Sequence, residues 1–174
     1  MTQQELLDIV NEKDEVIGIC EKEEAHNKRL LHRFVHLFIE TSEGKLVVQQ
    51  RSKNKIRGPL KFDASVGGHV SSGETYEEAL IREASEEIGL TITKKELVYL
   101  GRTKDTKDIS RTENQIGKLF YVRHDGPFKV NEEVEQLLFF TGDELKELIK
   151  NSPEKCCKGF IESVKIYLLF KAKN

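Results

Sequence analysis

The chain of 174 residues contains no Trp, one Met, three Pro and three Cys. Cysteines this few and odd in number build no disulfide framework, and Cys20, Cys156 and the adjacent Cys157 lack the Cys-x-x-Cys spacing of a zinc site. They read as reduced thiols. No apolar run approaches the length of a membrane span, and Met1-Thr-Gln-Gln-Glu5 lacks the charged and apolar regions of a signal peptide. The expectation is a cytoplasmic protein with no membrane contact. The net charge is only −2, whereas a polyanion partner needs a strongly basic face, so nucleic acid is excluded as the ligand. The 37% hydrophobic and 33% charged fractions are those of a globular protein, and no repeat, low-complexity tract or linker divides the chain. Residues 1–174 read as one domain with a sizeable core.

The apolar pattern predicts a hairpin over residues 6–19, turning at Asn11-Glu-Lys-Asp14, then a polar helical segment over 21–29. Strands are predicted at 31–40 and 45–51 around a Ser42-Glu-Gly44 turn, and a basic loop at 52–60. A strand over 62–70 leads into a helix at about 75–88. Further strands are expected at 97–104, 118–123 and 135–140, the first two separated by the polar stretch 105–115. Thr141-Gly-Asp-Glu144 reads as a capping box opening a helix to residue 150, and an amphipathic helix closes the chain at about 159–171. Strands interspersed with helices suggest an α+β arrangement whose sheet is covered on both faces. Phe34, Phe62, Tyr99 and Phe120 read as core residues, not as stacking platforms for a base.

The helix at 75–88 carries the chemistry. Glu83, Glu86 and Glu87 are spaced by three and four residues, which places them on one arc, while Leu80, Ile81, Ala84 and Ile88 fill the neighbouring arc. The carboxylates therefore sit at the edge of a buried face. Like charges so close raise one another's pKa unless a cation neutralises them. Hard oxygen ligands select Mg²⁺ or Mn²⁺, an ion suited to an anionic substrate such as a diphosphate. Taken alone, a Glu-rich helix is more often a solvated face. The flanking glycines shift the balance, with Gly67-Gly68 permitting close backbone approach before the helix and Gly89 stopping it in a left-handed conformation. Glu74 reads as a structural carboxylate at the helix start, and Arg82 as the group that pairs with acidic neighbours and holds them in place.

Gly68, Glu74, Arg82-Glu83, Ala84, Glu86-Glu87, Gly89 and Leu90 stand at the spacing of a known motif, and residues 68–90 resemble the Nudix box. The resemblance implies the Nudix fold, an α/β/α sandwich around a central mixed sheet. It also implies a metal held by the Gly68 carbonyl with Glu83, Glu86 and Glu87.

Outside the box the chain is similar to the branch that contains isopentenyl-diphosphate isomerase and its hydrolase relatives. That similarity lies in Ala25-His26, Leu30-Leu31-His32-Arg33, Gln50-Arg51, Ser65-Val66-Gly67-Gly68-His69 and Glu113-Asn114-Gln115. In the isomerase these segments supply metal-binding histidines and an acidic residue, matched here by His26, His32, His69 and Glu113, together with a catalytic Cys and a catalytic Glu. The last two are absent. Gly67 stands where the isomerase has its Cys and Gln115 where it has the Glu, so no group is left to protonate and deprotonate carbon. The intact Arg-Glu-x-x-Glu-Glu core, often lost in isomerases of this type, favours a Mg-dependent pyrophosphohydrolase acting on a nucleoside diphosphate linked to another group.

In that reading a carboxylate takes the proton of a metal-activated water. Glu83 and Glu87 are the candidates, with Glu113 or Glu133 outside the box, and Arg82 completes the catalytic set. Arg51, Lys55 and Arg57 are candidates to neutralise phosphate, against the alternative of a solvated basic loop. His26, His32 and His69 either form a second metal site or are ordinary structural histidines, and His36 and His124 match nothing. The competing functions are the isomerase, disfavoured by Gly67 and Gln115, and a Nudix scaffold that binds a nucleotide without catalysis. The partner is a small-molecule diphosphate. Neither substrate identity nor oligomeric state is encoded in a motif, and a homodimer stays open.

Overall fold

A computed structural model of the chain describes residues 5–104 and 114–173. The strands are β1 (Leu6–Val10), β2 (Val16–Glu21), β3 (His32–Glu40), β4 (Leu46–Arg51), β5 (Phe62–Asp63), β6 (Val66–His69), β7 (Val98–Lys104), β8 (Gln115–Arg123) and β9 (Val134–Phe140). The helices are α1 (Lys22–Asn27), α2 (Tyr76–Ile88), α3 (Gly142–Asn151) and α4 (Lys158–Lys173). All nine described strands belong to one sheet, ordered β2-β1-β3-β4-β5, with β6 and β8 also on β3, β7 on β8 and β9 on β4. The sheet is mixed, since β3 runs parallel to β8 but antiparallel to β1, β4 and β6. Among the described residues no helix is long and apolar enough to cross a membrane.

Strand β3 organises the layers. A strand buried on both faces reads as a continuous apolar run, and alternate residues then serve opposite cores. Val35, Leu37 and Ile39 pack with Leu80, Ala84 and Ile88 of α2. Phe38 points the other way, packing with Leu145 of α3 and Phe160, Val164 and Tyr167 of α4. His36 and Glu40 share that second face, where the His36 Nδ1 lies 2.8 Å from the Ser163 hydroxyl and Glu40 accepts from Tyr121, Tyr167 and Lys171. The sandwich implied by the box is thus present, with α2 on one face and α3 and α4 on the other.

Several expectations are refined. The single strand expected over residues 62–70 is two, with β5 on β4 and β6 on β3. Ser65 marks the change of partner, because its buried hydroxyl accepts the Ile39 N–H at 2.8 Å and donates to the Val47 carbonyl, replacing ladder bonds that the break removes. Strand β8 begins at Gln115 instead of Lys118, paired with His32 of β3 from its first residue. Tyr99, expected in the core, is 53% exposed on β7 and packs against Phe120 with ring centroids 5.5 Å apart. Phe120 itself is buried.

Candidate active site

Helix α2 is delimited by local chemistry. Thr75 caps it, its hydroxyl accepting from the Glu78 N–H while the Glu78 carboxylate accepts from the Thr75 N–H. Gly89 ends it at φ +65°, a conformation that penalises side chains. Between these ends the apolar arc buries Leu80, Ala84 and Ile88, and the acidic edge is thereby fixed against β6.

Arg82 gathers that edge. Its guanidinium donates to both oxygens of Glu74 at 2.9 Å each, to Glu83 at 2.8 Å, to Glu86 at 3.3 Å and to the His69 carbonyl at 3.1 Å. The expected role of Arg82 as a clamp on acidic neighbours matches this geometry. Glu74 also accepts the Ser71 N–H at 3.0 Å, and these bonds hold its carboxyl below the usual range against the opposing effect of burial.

Glu83 lies against the backbone of Gly68. A Cβ at position 68 would come within 2.2 Å of the Glu83 carboxyl, so the glycine creates the space the carboxylate occupies. Glu87 lies deeper, 3% exposed, and accepts from Gln49 Nε2 and from the Gly67 N–H, both at 3.2 Å. Burial pushes Glu87 up to about 8, reinforced by the charge of Glu83. Burial likewise pushes Glu83 up to about 7, opposed by Arg82. Glu86 is the most open of the three, its side chain 56% exposed. Glu83 and Glu86 are both ion-paired with Arg82, and among the described residues the side chains whose ligand atoms converge to within 4.8 Å of one another are His26, His32 and His69, not the three glutamates. The innermost of the glutamates, Glu87, has two neutral hydrogen-bond partners and a carboxylate neighbour, an arrangement a divalent cation would relieve.

The other candidate residues are distributed around this edge. Arg51 is committed, donating to Asp63 at 3.2 Å and to the Arg57 carbonyl at 3.0 and 3.3 Å. Arg57 reaches Glu23 of α1 at 3.7 Å, and its charge acts on His26 and His69. Lys55 pairs with Glu133, and both charges act on Glu87. Glu113 lies outside the described residues.

His26, His32 and His69 converge, with one nitrogen from each within 4.8 Å of the others. The His32 Nδ1 lies 2.7 Å from the Leu30 carbonyl, which fixes its proton there and leaves Nε2 as an acceptor. Gln115 places its amide nitrogen 3.3 Å from the Nε2 of both His32 and His69. Both nitrogens of His26 are buried without a hydrogen-bond partner. Burial lowers all three histidines, His26 to about 4, so the rings are neutral. His36 went without a role in the sequence and proves to be buried next to Gly67, where a Cβ would stand 2.9 Å from its ring. The alternation of β3 gives its direction, but nothing local signals Ser163 as its partner.

Residues 30–157 match the NUDIX domain. The chain belongs to the Nudix family. It is 35% identical over 158 residues to an uncharacterised Nudix hydrolase of Nostoc, covering 89% of this chain and 92% of that one. Some other relatives align over about half their length, as with 47% of a Nudix hydrolase from Streptomyces coelicolor. The Nudix chain superposes on the crystal structure of DR0079 from Deinococcus radiodurans with a TM-score of 0.74 and 30% identity, covering 94% of this chain and 98% of that one. A bifunctional NMN adenylyltransferase/ADP ribose pyrophosphatase from Francisella tularensis, complexed with AMP and a Mn ion, shares the fold at a TM-score of 0.59 and 20% identity, over 78% of this chain and 40% of that one. This Nudix protein is accordingly an enzyme of a hydrolase family that acts on pyrophosphate bonds and generally uses divalent metals.

Proposed function

We propose that this Nudix protein is a Mg²⁺- or Mn²⁺-dependent pyrophosphohydrolase that cleaves the diphosphate linkage of a nucleoside diphosphate joined to another group, in a cytoplasmic setting. The observation that carries the reading is Glu87, a buried carboxylate pushed up to about 8 with no ion-pair partner among the described residues, beside Glu83 and the Gly68 backbone. Carboxylate and carbonyl oxygens are the donors a hard cation takes, and Glu83, Glu86, Glu87 and the Gly68 carbonyl would hold it. When bound, it supplies positive charge that polarises the diphosphate and acidifies water.

The chain's own residues do the rest. Arg82 keeps Glu83 and Glu86 at the metal edge through bonds that Glu74 anchors from behind. Gln49 and the Gly67 N–H orient Glu87. The proton of the attacking water passes to Glu83 or Glu87, the two carboxylates whose pKa values lie nearest the working pH. Positive charge for the remaining phosphate oxygens comes from the basic loop, where Arg51 serves mainly to shape the loop through its bonds to Arg57 and Asp63. The Francisella protein, with its AMP and Mn ion, supports a nucleotide-type substrate through shared fold alone.

The histidine cluster favours a second metal as part of this reading. Three neutral imidazoles with converging nitrogens, one of them wholly unpartnered, suit an ion such as Zn²⁺ or Mn²⁺. Isomerase chemistry has no such support, since the His36 ring excludes a side chain at Gly67 and Gln115 has no useful pKa.

The test is a screen of nucleotide sugars, dinucleotides, coenzyme A and isoprenoid diphosphates with Mg²⁺ or Mn²⁺, reading phosphate released after phosphatase coupling. Metal-dependent release from at least one nucleoside diphosphate derivative is expected. Absence of turnover across the panel, with no thermal shift on adding either metal, overturns the assignment, and conversion of isopentenyl diphosphate to its allylic isomer would replace it.

A further inference from the structure

Exposed apolar side chains concentrate on the first hairpin, away from the site. Val16, Ile17 and Ile19 of β2 are 51%, 66% and 59% exposed, and Leu6 of β1 is 47% exposed beside them. Cys20 turns the other way and packs with Leu7, Ile9 and Ala25, so the inward side of the hairpin is already filled. The isoleucines are left facing water, where an apolar patch of this kind marks a contact surface.

Among the described residues β2 pairs with β1 alone, which makes it an edge of the sheet. The other long edge strands are guarded, β7 by Arg102 and Lys104 and β9 by Glu135, since charges on an edge resist pairing with another chain. Strand β2 carries no charge from Val16 to Cys20. Its register against β1 slips between Ile9 and Val10, a bulge that twists the edge and blunts a long backbone ladder. A partner at this edge is therefore met mainly by side chains.

Opposite charges stand at the two ends of the patch. Lys13 in the turn and Glu21 at the end of β2 are exposed and equally distant from Ile17 along the chain. Among the described residues neither side chain has an ion-pair or hydrogen-bond partner, and Glu21 makes no side-chain cap to α1. A parallel copy would set like charges together at both ends. An antiparallel copy, related by a two-fold axis at Ile17, brings each Lys13 to Glu21 of the other chain and each apolar stripe onto its twin.

We propose that the β1–β2 hairpin is the contact surface of a homodimer, in which two copies lie antiparallel along β2, bury Leu6, Val16, Ile17 and Ile19 against one another and close two Lys13–Glu21 pairs. The inference does not depend on the hydrolase reading.

Sedimentation equilibrium on the full chain tests it. A contact this small should give a monomer–dimer equilibrium with a dissociation constant of about 10–100 µM. Ile19→Lys should weaken it at least about tenfold by placing a charge in the patch. Lys13→Glu and Glu21→Lys should each weaken it about three- to tenfold, because each sets like charges together twice per dimer. All three positions are exposed, so the fold survives each change. The double reversal, Lys13→Glu with Glu21→Lys, should restore the native affinity. An equal mixture of the two single variants should form a heterodimer as tight as the native pair, since each supplies the sign the other lacks. A chain that stays monomeric to about 200 µM, a dimer indifferent to Ile19→Lys, or single reversals that the double variant does not rescue would each overturn the proposal, and the first would leave the patch to a different protein.

Discussion

Glu87 and Gly68 give two predictions that separate chemistry from folding. Glu87 is buried between neutral partners, so replacing it by the isosteric Gln removes a charge whose desolvation burdens the metal-free fold. Glu87→Gln is expected to lower kcat by roughly a thousandfold, while the melting temperature without metal at pH 8 holds or rises. A protein that merely binds nucleotides would keep its ligand affinity and show no such loss of turnover. At Gly68 the group in the way of a Cβ is the end of the flexible Glu83 side chain, which can swing aside at modest cost. Gly68→Ala should therefore cost activity out of proportion to stability: a fall in kcat of about a hundredfold, as follows from moving one catalytic group by about 1 Å, with a small change in melting temperature. Equal losses in both would mean that Gly68 serves packing alone. These residues were legible in the sequence because their spacing is fixed by a single helix and its two ends. Ser163 and Gln49 were not, because each reaches the site's surroundings from elements far away in the chain, where no local period signals the contact.

Helix α2 is held by two kinds of device, and their loss should be distinguishable. The Thr75 cap satisfies backbone groups far from the carboxylates, so Thr75→Ala should lower stability by about 1 kcal/mol with turnover nearly unchanged. Arg82→Lys removes a planar fork that bonds Glu74 through both oxygens and also the His69 carbonyl, and a single ammonium cannot reproduce that geometry. Its expected stability loss is similar, about 1–2 kcal/mol, but kcat should fall at least tenfold because Glu83 and Glu86 lose their common anchor. Chemical denaturation with activity assays on both variants decides it; matching activity for the two would show that Arg82 braces the helix and nothing more. The elements themselves could be read from the chain to within a few residues, the hairpin, the capping box at Thr141 and the helix stop at Gly89 having strong local signals, whereas the capping box at Thr75 was passed over in favour of Glu74. The break between β5 and β6 could not, since it depends on a buried Ser65 bonding to Ile39 and Val47, contacts that exist only once β3 and β4 lie alongside.

Across the whole molecule, the carboxylates and the histidines bias stability against pH with opposite signs. Glu83 and Glu87 have folded pKa values of about 7 and about 8, above the usual 4.5, so their contribution is full below pH 4.5 and is lost as pH rises through 7 to 8. His26, His32 and His69 are lowered from 6.5, His26 to about 4, so their contribution is full above 6.5 and is lost as pH falls toward 4. The metal-free protein should then melt highest near pH ~6.5, where neither group has yet been forced against its environment. A divalent cation replaces protons at the carboxylates but has no such effect on stability where they are already protonated. The rise in melting temperature on adding Mg²⁺ should accordingly be small at pH 6 and grow through pH 8, flattening the alkaline side of the profile while leaving the acidic side to the histidines. Thermal scans across pH with and without Mg²⁺ measure this directly. An increment that stays constant with pH would show that the ion binds where no buried carboxylate gives up a proton, and would remove Glu83 and Glu87 as its ligands.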